Sequence, residues 1–250
     1  MQVIVDSLLT QYERMGKGKT VLLLHGWGDS AAGLRAISQA LGKHYDVIAL
    51  NLPGFGGTAL PGEPWGLNDY VMFVAHFLTK LDVNDVWAIV GHSNGAALTI
   101  RGVAEGHLHA ERVVLIGSAG IRNVYRGRKR MLRMMAKAAK VFVAPLPAVA
   151  KNKLRRKAYK AIGSDMFVAE HLQETFKRVV TDDVQADAPQ LTQPVLLVYG
   201  EDDEQTPVWY GERFHELMPD STLVILPHAG HFVHLDRPGD VTKAVEEFLQ

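Results

Sequence analysis

Short apolar runs alternate with longer helical patterns along most of the chain. Six apolar runs, each followed by a turn residue or a histidine, are typical of strands buried on both faces of a sheet. These runs cover residues 21–24, 47–50, 86–90, 113–116, 195–199 and 223–226. Helical spacing of apolar residues covers 31–41, 68–81, 94–105, 210–218 and 241–249. Strands that alternate with helices predict an α/β fold with a parallel sheet and helices on both of its faces.

Two stretches depart from this alternation. The first twenty residues indicate a short antiparallel hairpin that turns at residues 16–18, where two glycines stand. From about residue 121 to residue 190 the pattern is helical, and it contains no run that predicts a buried strand. A helical insertion between two strands of a parallel sheet is best interpreted as a lid over the carboxyl edge of the sheet. We therefore predict a core of residues 1–120 and 190–250, with a helical lid at residues 121–189.

The clearest chemical motif is Gly91-His92-Ser93-Asn94-Gly95, between a predicted strand and a predicted helix. This is a G-x-S-x-G sequence in the strand–turn–helix context that a nucleophile elbow requires. The turn is so tight that side chains two positions before and after the serine would collide with backbone, which explains the glycines. Ser93 is then exposed at a helix N-terminus, where the partial positive charge favours a developing anion.

An acidic loop and a histidine loop follow two later predicted strands. The acidic loop is Gly200-Glu201-Asp202-Asp203-Glu204-Gln205-Thr206-Pro207, and the histidine loop is Pro227-His228-Ala229-Gly230-His231-Phe232. Both loops fall at strand carboxyl ends, where an open α/β sheet places its site. The order serine, acid, histidine along the chain is the order expected for this motif.

Over nearly its whole length the chain resembles the α/β-hydrolase family. The resemblance implies an eight-stranded, mostly parallel sheet and a Ser93-Asp203-His231 triad. Asp203 stands four positions before the loop proline, as the family's acid typically does, whereas Asp202 is the alternative acid and otherwise a turn former. His231 belongs to the Gly-His pair after the last strand. The other histidines, His92, His228 and His234 among them, are interpreted as structural or surface residues.

The triad residues would divide the work of a serine hydrolase. A serine hydroxyl is a weak nucleophile at neutral pH, so Ser93 needs an adjacent base. His231 would take its proton and later deliver it to the leaving group. Asp203 would hold the tautomer of His231 and stabilise its charged form.

An oxyanion hole is implied by the turn His25-Gly26-Trp27-Gly28, which follows the first predicted parallel strand. In the family, the backbone N–H of the third residue of this turn is one donor, and the N–H of the residue after the nucleophile is the other. The donors here would be Trp27 and Asn94. A second turn, residues 51–56, resembles the family's D-x-P-G-x-G turn with Asn51 in place of the acid, and it is expected to be structural.

The composition and the lack of certain motifs exclude several kinds of site and partner. Formal net charge is zero, and no pattern indicates a nucleic-acid partner. The absence of cysteine excludes disulfides, thiolate zinc sites and cysteine nucleophiles. The sequence contains no phosphate-binding glycine loop and no metal-ligand spacing, so neither a cofactor nor a metal is predicted. Neither a signal peptide nor a membrane span is evident, and a soluble cytoplasmic protein is expected.

The predicted lid has an unusual charge pattern. Residues 121–160 contain fourteen lysines and arginines and no acidic residue, interleaved with methionine and other apolar side chains. This spacing predicts a basic amphipathic helix. Three roles are open for its basic face. It is simply solvated, it attracts an anionic substrate toward the cleft, or it contacts an anionic membrane surface.

Three functions fit these motifs. Hydrolysis of a carboxylic ester through an acyl-enzyme is the first, with a small-molecule ester or carboxylate as substrate. Carbon–carbon bond hydrolases of aromatic ring-cleavage products share the triad and the lid, although their elbow usually has a small or apolar residue where this chain has Asn94. A non-catalytic binder with the same fold is the third, and such a protein would not need all of these motifs.

Overall fold

The computed structural model describes residues 1–122 and 170–250. The predicted basic helix and most of the predicted lid therefore lie outside the described residues. The described chain forms one eight-stranded sheet. Its strands are β1 (Gln2–Val5), β2 (Leu8–Met15), β3 (Thr20–Leu24), β4 (Asp46–Leu50), β5 (Val86–His92), β6 (Arg112–Ile116), β7 (Val195–Gly200) and β8 (Ser221–Leu226).

The strand order across the sheet is β1-β2-β4-β3-β5-β6-β7-β8. Strands β3 to β8 are mutually parallel, whereas β2 is antiparallel to both β1 and β4. The predicted α/β-hydrolase fold with a mostly parallel eight-stranded sheet is confirmed.

The N-terminal hairpin is present, but its predicted turn at residues 16–18 is wrong. The chain reverses at Asp6 and Ser7, whose φ angles are 47° and 65°. Two consecutive positive φ angles are the geometry of a tight hairpin turn that matches the twist of the strands. Residues 16–18 instead link β2 to β3, which are separated in the sheet by β4.

Seven helices accompany the sheet in the described residues, together with three short 3₁₀ segments. The helices are α1 (Arg35–Leu41), α2 (Leu67–Lys80), α3 (Asn94–Ala104), α4 (Gln173–Val179), α5 (Val208–Leu217), α6 (Val233–Asp236) and α7 (Pro238–Leu249). The 3₁₀ segments are Ala31–Leu34, Glu170–Leu172 and Ala188–Gln190. Five of the helices match the predicted segments to within a few residues at each end.

The alternation of side chains in β3 divides the core into two layers. Leu22 and Leu24 pack on the face covered by α2, α3 and α5, whereas Val21 and Leu23 pack on the face covered by α1 and α7. Because β3 lies in the middle of the sheet, all four of these side chains are buried.

The last strand departs from the prediction of strands buried on both faces. Strand β8 is the edge of the sheet, and its six residues are only partly buried or exposed.

All of the parallel strands point the same way, so the loops that follow β3, β5, β7 and β8 meet at one edge of the sheet, its carboxyl edge. Within residues 1–122 and 170–250, no helix has the length and apolar character needed to span a membrane.

The described end of the predicted lid packs over this carboxyl edge. The Thr175 hydroxyl accepts a hydrogen bond from the backbone N–H of Trp65 over 3.2 Å, and Asp182 accepts one from Leu67. The His171 Nε2 lies 3.0 Å from the carbonyl oxygen of Gly54. Residues 170–182 therefore cover the loop that joins β4 to α2.

Candidate active site

The turn Gly91-His92-Ser93-Asn94-Gly95 has the strained geometry of a nucleophile elbow. Ser93 has φ 51° and ψ −112°, and it is the N-cap of α3. A Cβ atom on Gly95 would lie 2.3 Å from the carbonyl oxygen of Leu24, and one on Gly91 would lie 2.7 Å from the backbone of Ala96. Glycine is thus required on both sides of the serine, as the sequence predicts. A strained backbone of this kind persists only where its surroundings impose it.

A continuous chain of hydrogen bonds joins Ser93, His231 and Asp203. The Ser93 Oγ lies 2.9 Å from His231 Nε2, and His231 Nδ1 lies 2.9 Å from Asp203 Oδ2. Because a carboxylate only accepts, the His231 Nδ1–H is the donor to Asp203, and Nε2 is free to accept the serine proton. The Asp203 side chain is 0 % exposed and the His231 side chain is 7 % exposed, so solvent screens the interaction between them little.

Asp203 is held as an anion by its own loop. Its Oδ1 accepts hydrogen bonds from the backbone N–H groups of Gln205 and Thr206, at 2.8 and 2.9 Å. Burial alone would raise the pKa of Asp203, but the hydrogen bonds from His231 and Thr206 outweigh it and hold this pKa below its usual value. The neighbouring Asp202 is exposed and makes no hydrogen bond to His231 in the described residues, so the geometry favours Asp203 over Asp202 as the acid of the proposed triad.

The turn His25-Gly26-Trp27-Gly28 is anchored by its first residue. The buried His25 donates its Nδ1–H to the Gly26 carbonyl oxygen at 2.7 Å, and its Nε2 accepts the Leu52 N–H at 3.0 Å. Burial lowers the pKa of His25, and the two bonds together require the neutral ring. Asn51 makes a second contact with the segment that follows this turn, because its Oδ1 accepts a hydrogen bond from the Ala31 N–H at 2.7 Å. The structural role expected for Asn51 agrees with this contact.

Of the two predicted oxyanion donors, Asn94 lies within the elbow and Trp27 lies in the turn beside it. A Cβ atom on Gly26 would lie 3.1 Å from Cβ of Ser93, so the backbone just before Trp27 abuts the serine. Within the part of the chain that the structure describes, no hydrogen bond uses the backbone N–H of Trp27 or of Asn94. The Trp27 indole packs between Phe55 and Phe176, with ring centroids 5.0 and 5.2 Å away.

Two residues near the triad have contacts that the sequence did not assign. The Thr206 hydroxyl lies 2.7 Å from Asp203 Oδ2 and 3.1 Å from His231 Nδ1. His92 donates its Nε2–H to the backbone carbonyl oxygen of His231 at 3.1 Å. The position of Thr206 directly before Pro207 in the acidic loop is a signal from which its contact with the acid could have been predicted. Nothing in the sequence relates His92 to the loop of His231.

The remaining histidines divide into buried and exposed groups. His92 and His234 are both 1 % exposed, in keeping with a structural interpretation. The others are exposed and have no contact with the triad in the described residues. This exposed group comprises His44, His76, His107, His109, His171, His215 and His228.

The alpha/beta hydrolase family model matches residues 21–244. The chain belongs to the alpha/beta hydrolase family. The match covers every strand from β3 onward and the loops of Ser93, Asp203 and His231. Hydrolase chemistry is therefore the general activity of this chain.

Named relatives of this alpha/beta hydrolase act on two kinds of substrate. A 2-hydroxy-6-oxo-6-(2'-aminophenyl)hexa-2,4-dienoic acid hydrolase of Metapseudomonas resinovorans is 29% identical, covering 96% of this chain and 87% of the relative. A pimeloyl-(acyl-carrier protein) methyl ester esterase of Pectobacterium atrosepticum is 26% identical, covering 96% and 98%. The crystal structure of a serine hydrolase involved in carbazole degradation superposes with a TM-score of 0.76 at 26% identity, covering 100% of this chain and 97% of that chain.

Proposed function

We propose that this alpha/beta hydrolase is a serine hydrolase that cleaves carboxylic esters through an acyl-enzyme on Ser93. The observation that supports it most is the unbroken hydrogen-bond chain from Ser93 Oγ through His231 to the buried Asp203, with 2.9 Å at both histidine nitrogens. A nucleophile and base within hydrogen-bond reach, with the base oriented by a third group, is the arrangement that activates a serine.

The chemistry follows in two halves. In the first, Ser93 Oγ bonds to the ester carbonyl carbon while His231 Nε2 takes the hydroxyl proton. Collapse of the tetrahedral intermediate breaks the bond to the alcohol oxygen, which leaves with the proton from His231 and leaves an acyl group on Ser93. In the second half, water attacks that acyl group while His231 takes a proton from the water. The bond from the acyl carbon to Ser93 Oγ then breaks, Oγ regains its proton from His231, and the acid is released.

The oxyanion of each tetrahedral intermediate would be stabilised by the backbone N–H groups of Trp27 and Asn94. Both groups adjoin Ser93 and have no acceptor among the described residues, which supports this assignment. Asn94 is also the first residue of α3, where the helix leaves its N–H groups unsatisfied. The removal of one such donor from an acyl-transfer site costs roughly 100- to 1000-fold in turnover.

A lid at residues 121–189 belongs to this proposal as well. The contacts of residues 170–182 with the loop after β4, and the packing of Phe176 on Trp27, support a cap beside the proposed oxyanion site. The cap would exclude water from the acyl group and contribute walls to the substrate pocket.

Hydrolysis of a carbon–carbon bond is a second candidate, because relatives at 29% and 26% identity are named hydrolases of 2-hydroxy-6-oxo-dienoic acids. Such substrates have a free carboxylate, which a cationic side chain would stabilise. The basic residues of the predicted lid would supply one. The same Ser93, His231 and Asp203 would serve either reaction.

A series of p-nitrophenyl esters from acetate to decanoate tests the ester proposal, with wild type and Ser93→Ala side by side. We expect hydrolysis by the wild type to fall to the uncatalysed rate in Ser93→Ala. Ser30→Ala is the matched control, since the Ser30 side chain caps no helix and is outside the triad. Activity that persists in Ser93→Ala contradicts the proposal. A wild type that hydrolyses a 2-hydroxy-6-oxo-dienoic acid but no ester favours the second candidate.

A further inference from the structure

Three residues from separate segments converge beside the elbow turn, where the ring centroids of His92 and His231 lie 5.0 Å apart. Asp29 follows the His25-Gly26-Trp27-Gly28 turn, His92 directly precedes Ser93, and His234 lies in α6, three residues after His231. One side-chain nitrogen or carboxylate oxygen of each residue lies within 4.8 Å of those of the other two. The His92 and His234 rings are in contact, with centroids 4.4 Å apart.

The polar atoms of this cluster lack partners to an unusual degree. Asp29 Oδ2, His92 Nδ1 and both ring nitrogens of His234 are buried and make no hydrogen bond within residues 1–122 and 170–250. A buried polar group without a partner costs roughly 1–3 kcal/mol, and such groups in a native structure call for an explanation. One of the four is the ring N–H of a neutral His234, so the other three atoms, one on each side chain, are the acceptors that a common binding partner would satisfy.

The donor chemistry of the cluster defines what that partner is. His92 donates its Nε2–H to the His231 carbonyl oxygen, so its Nδ1 has a lone pair in the neutral ring. In the neutral ring of His234, one of the two nitrogens likewise has a lone pair. An ionised Asp29 only accepts. The cluster therefore presents electron pairs from two imidazoles and one carboxylate, which is the donor set of a divalent transition-metal ion.

We propose that Asp29, His92 and His234 bind one divalent transition-metal ion, of the Zn²⁺ type, beneath the elbow turn. Ligand atoms at 2.0–2.2 Å from one tetrahedral Zn²⁺ lie roughly 3.3–3.6 Å apart, so side-chain rotations that shorten the present separations, all within 4.8 Å, would bring the three atoms to a single ion. The hydrogen bond from His92 to the His231 carbonyl is the kind of outer contact that fixes the orientation of a metal-bound imidazole.

The ion would join the three segments that position the proposed catalytic groups. Asp29 belongs to the loop of Trp27, His92 to the turn of Ser93 and His234 to α6, which directly follows the loop of His231. The expected role is structural, since a metal that binds the folded site and not the unfolded chain stabilises the fold. No metal-ligand spacing is visible in the sequence because the ligands are 63 and 142 residues apart, from position 29 to 92 and from 92 to 234.

Calorimetric titration of Zn²⁺ into protein without a histidine tag, after removal of metal with EDTA, tests the proposal. We expect one Zn²⁺ per chain, with affinity reduced at least about 100-fold in His234→Ala. Asp29→Asn is a second ligand variant that preserves the shape of the side chain and should weaken binding as well. His107→Ala is the matched control, because His107 is exposed and distant in sequence from the cluster, and it should leave binding unchanged.

Two further readouts separate this site from other outcomes. Co²⁺ in place of Zn²⁺ should give visible d–d absorption in the wild type that disappears in His234→Ala, and Zn²⁺ should raise the Tm of the wild type but not of the variant. The absence of stoichiometric Zn²⁺ binding to the folded wild type overturns the proposal. So does binding that survives in His234→Ala and is lost in His231→Ala, because that result assigns the ion to the triad.

Discussion

The hydroxyl of Thr206 lies 2.7 Å from Oδ2 of Asp203, the same oxygen that accepts the Nδ1–H of His231. Thr206 also contacts the Gly117 carbonyl oxygen after β6, at 3.1 Å. Its side chain thus links the acidic loop to the end of β6 and contacts the same carboxylate oxygen as the histidine, with the Thr206 hydroxyl 3.1 Å from His231 Nδ1. Thr206 is in this sense a positioning residue for the proposed triad.

Thr206→Val should lower kcat by roughly 10- to 100-fold, because a hydrogen bond to a charged group is worth about 1.5–3 kcal/mol and Asp203 would lose its hydroxyl donor. Thr206→Ser retains the hydroxyl and should keep most of the activity. Ester hydrolysis rates of both variants, with KM measured separately, check this. Equal kcat values for Thr206→Val and the wild type would show that the hydroxyl has no positioning role.

Asp203→Asn should lower kcat by about 10⁴-fold, because the amide cannot hold His231 in the tautomer that accepts the serine proton. Asp202→Asn is the matched control, since Asp202 is adjacent in sequence but exposed. Steady-state hydrolysis of the best ester substrate measures both effects. A large loss in Asp202→Asn with little in Asp203→Asn would reverse the assignment of the acid.

Gly95→Ala should destabilise the fold by about 1–3 kcal/mol or more and abolish activity, because the new Cβ would lie 2.3 Å from the Leu24 carbonyl oxygen. Gly239→Ala, at the start of α7, has no atom within 4 Å of the new Cβ. This control should keep its activity and equal or exceed the wild-type stability by up to about 1 kcal/mol. Urea unfolding gives both free energies, and similar values for the two variants would contradict the collision.

The free energy of unfolding should decrease as the pH falls below about 6.5. The folded pKa of His25 is lowered by burial, so between the unfolded value of about 6.5 and the folded pKa only the unfolded state binds the proton. Each such histidine contributes at most about 1.4 kcal/mol per pH unit. In protein without bound metal, His92 and His234 have lowered pKa values as well and add to the slope.

His25→Asn isolates the contribution of that residue to the pH dependence. The variant should lose stability at pH 7, because Leu52 loses the acceptor of its N–H, and it should also show a shallower pH dependence than the wild type. Urea unfolding at several pH values between 7.5 and 5 measures both quantities. An unchanged slope would mean that His25 does not titrate differently in the folded and unfolded states.

Most of the sheet was predictable because its central strands are buried on both faces and read as uninterrupted apolar runs. The hairpin turn was misplaced for a physical reason. Gly16 and Gly18 are stronger turn signals than Asp6 and Ser7, although it is the latter pair that reverses the chain with positive φ angles. The apolar residues of β8 predict a buried strand, but the sequence alone does not reveal that β8 lies at the edge of the sheet.

The proposed triad was predictable because each residue stands in a local motif at the end of a predicted strand. The Ser93, Asp203 and His231 side chains come together in the structure, yet their roles remain a proposal. The cluster of Asp29, His92 and His234 was not predictable, because its members share no local motif and meet only through the packing of three loops at the carboxyl edge. The roles of Trp27 and Asn94 as oxyanion donors also remain a proposal.

The most direct test of the serine hydrolase proposal is labelling of the folded protein with a fluorophosphonate, followed by mass spectrometry of the intact chain and its peptides. An activated serine alone should react, so the account predicts one phosphonyl group per chain, located on Ser93, and no labelling of Ser93→Ala. A folded wild type that remains unlabelled, or a label on another residue that persists in Ser93→Ala, would contradict it.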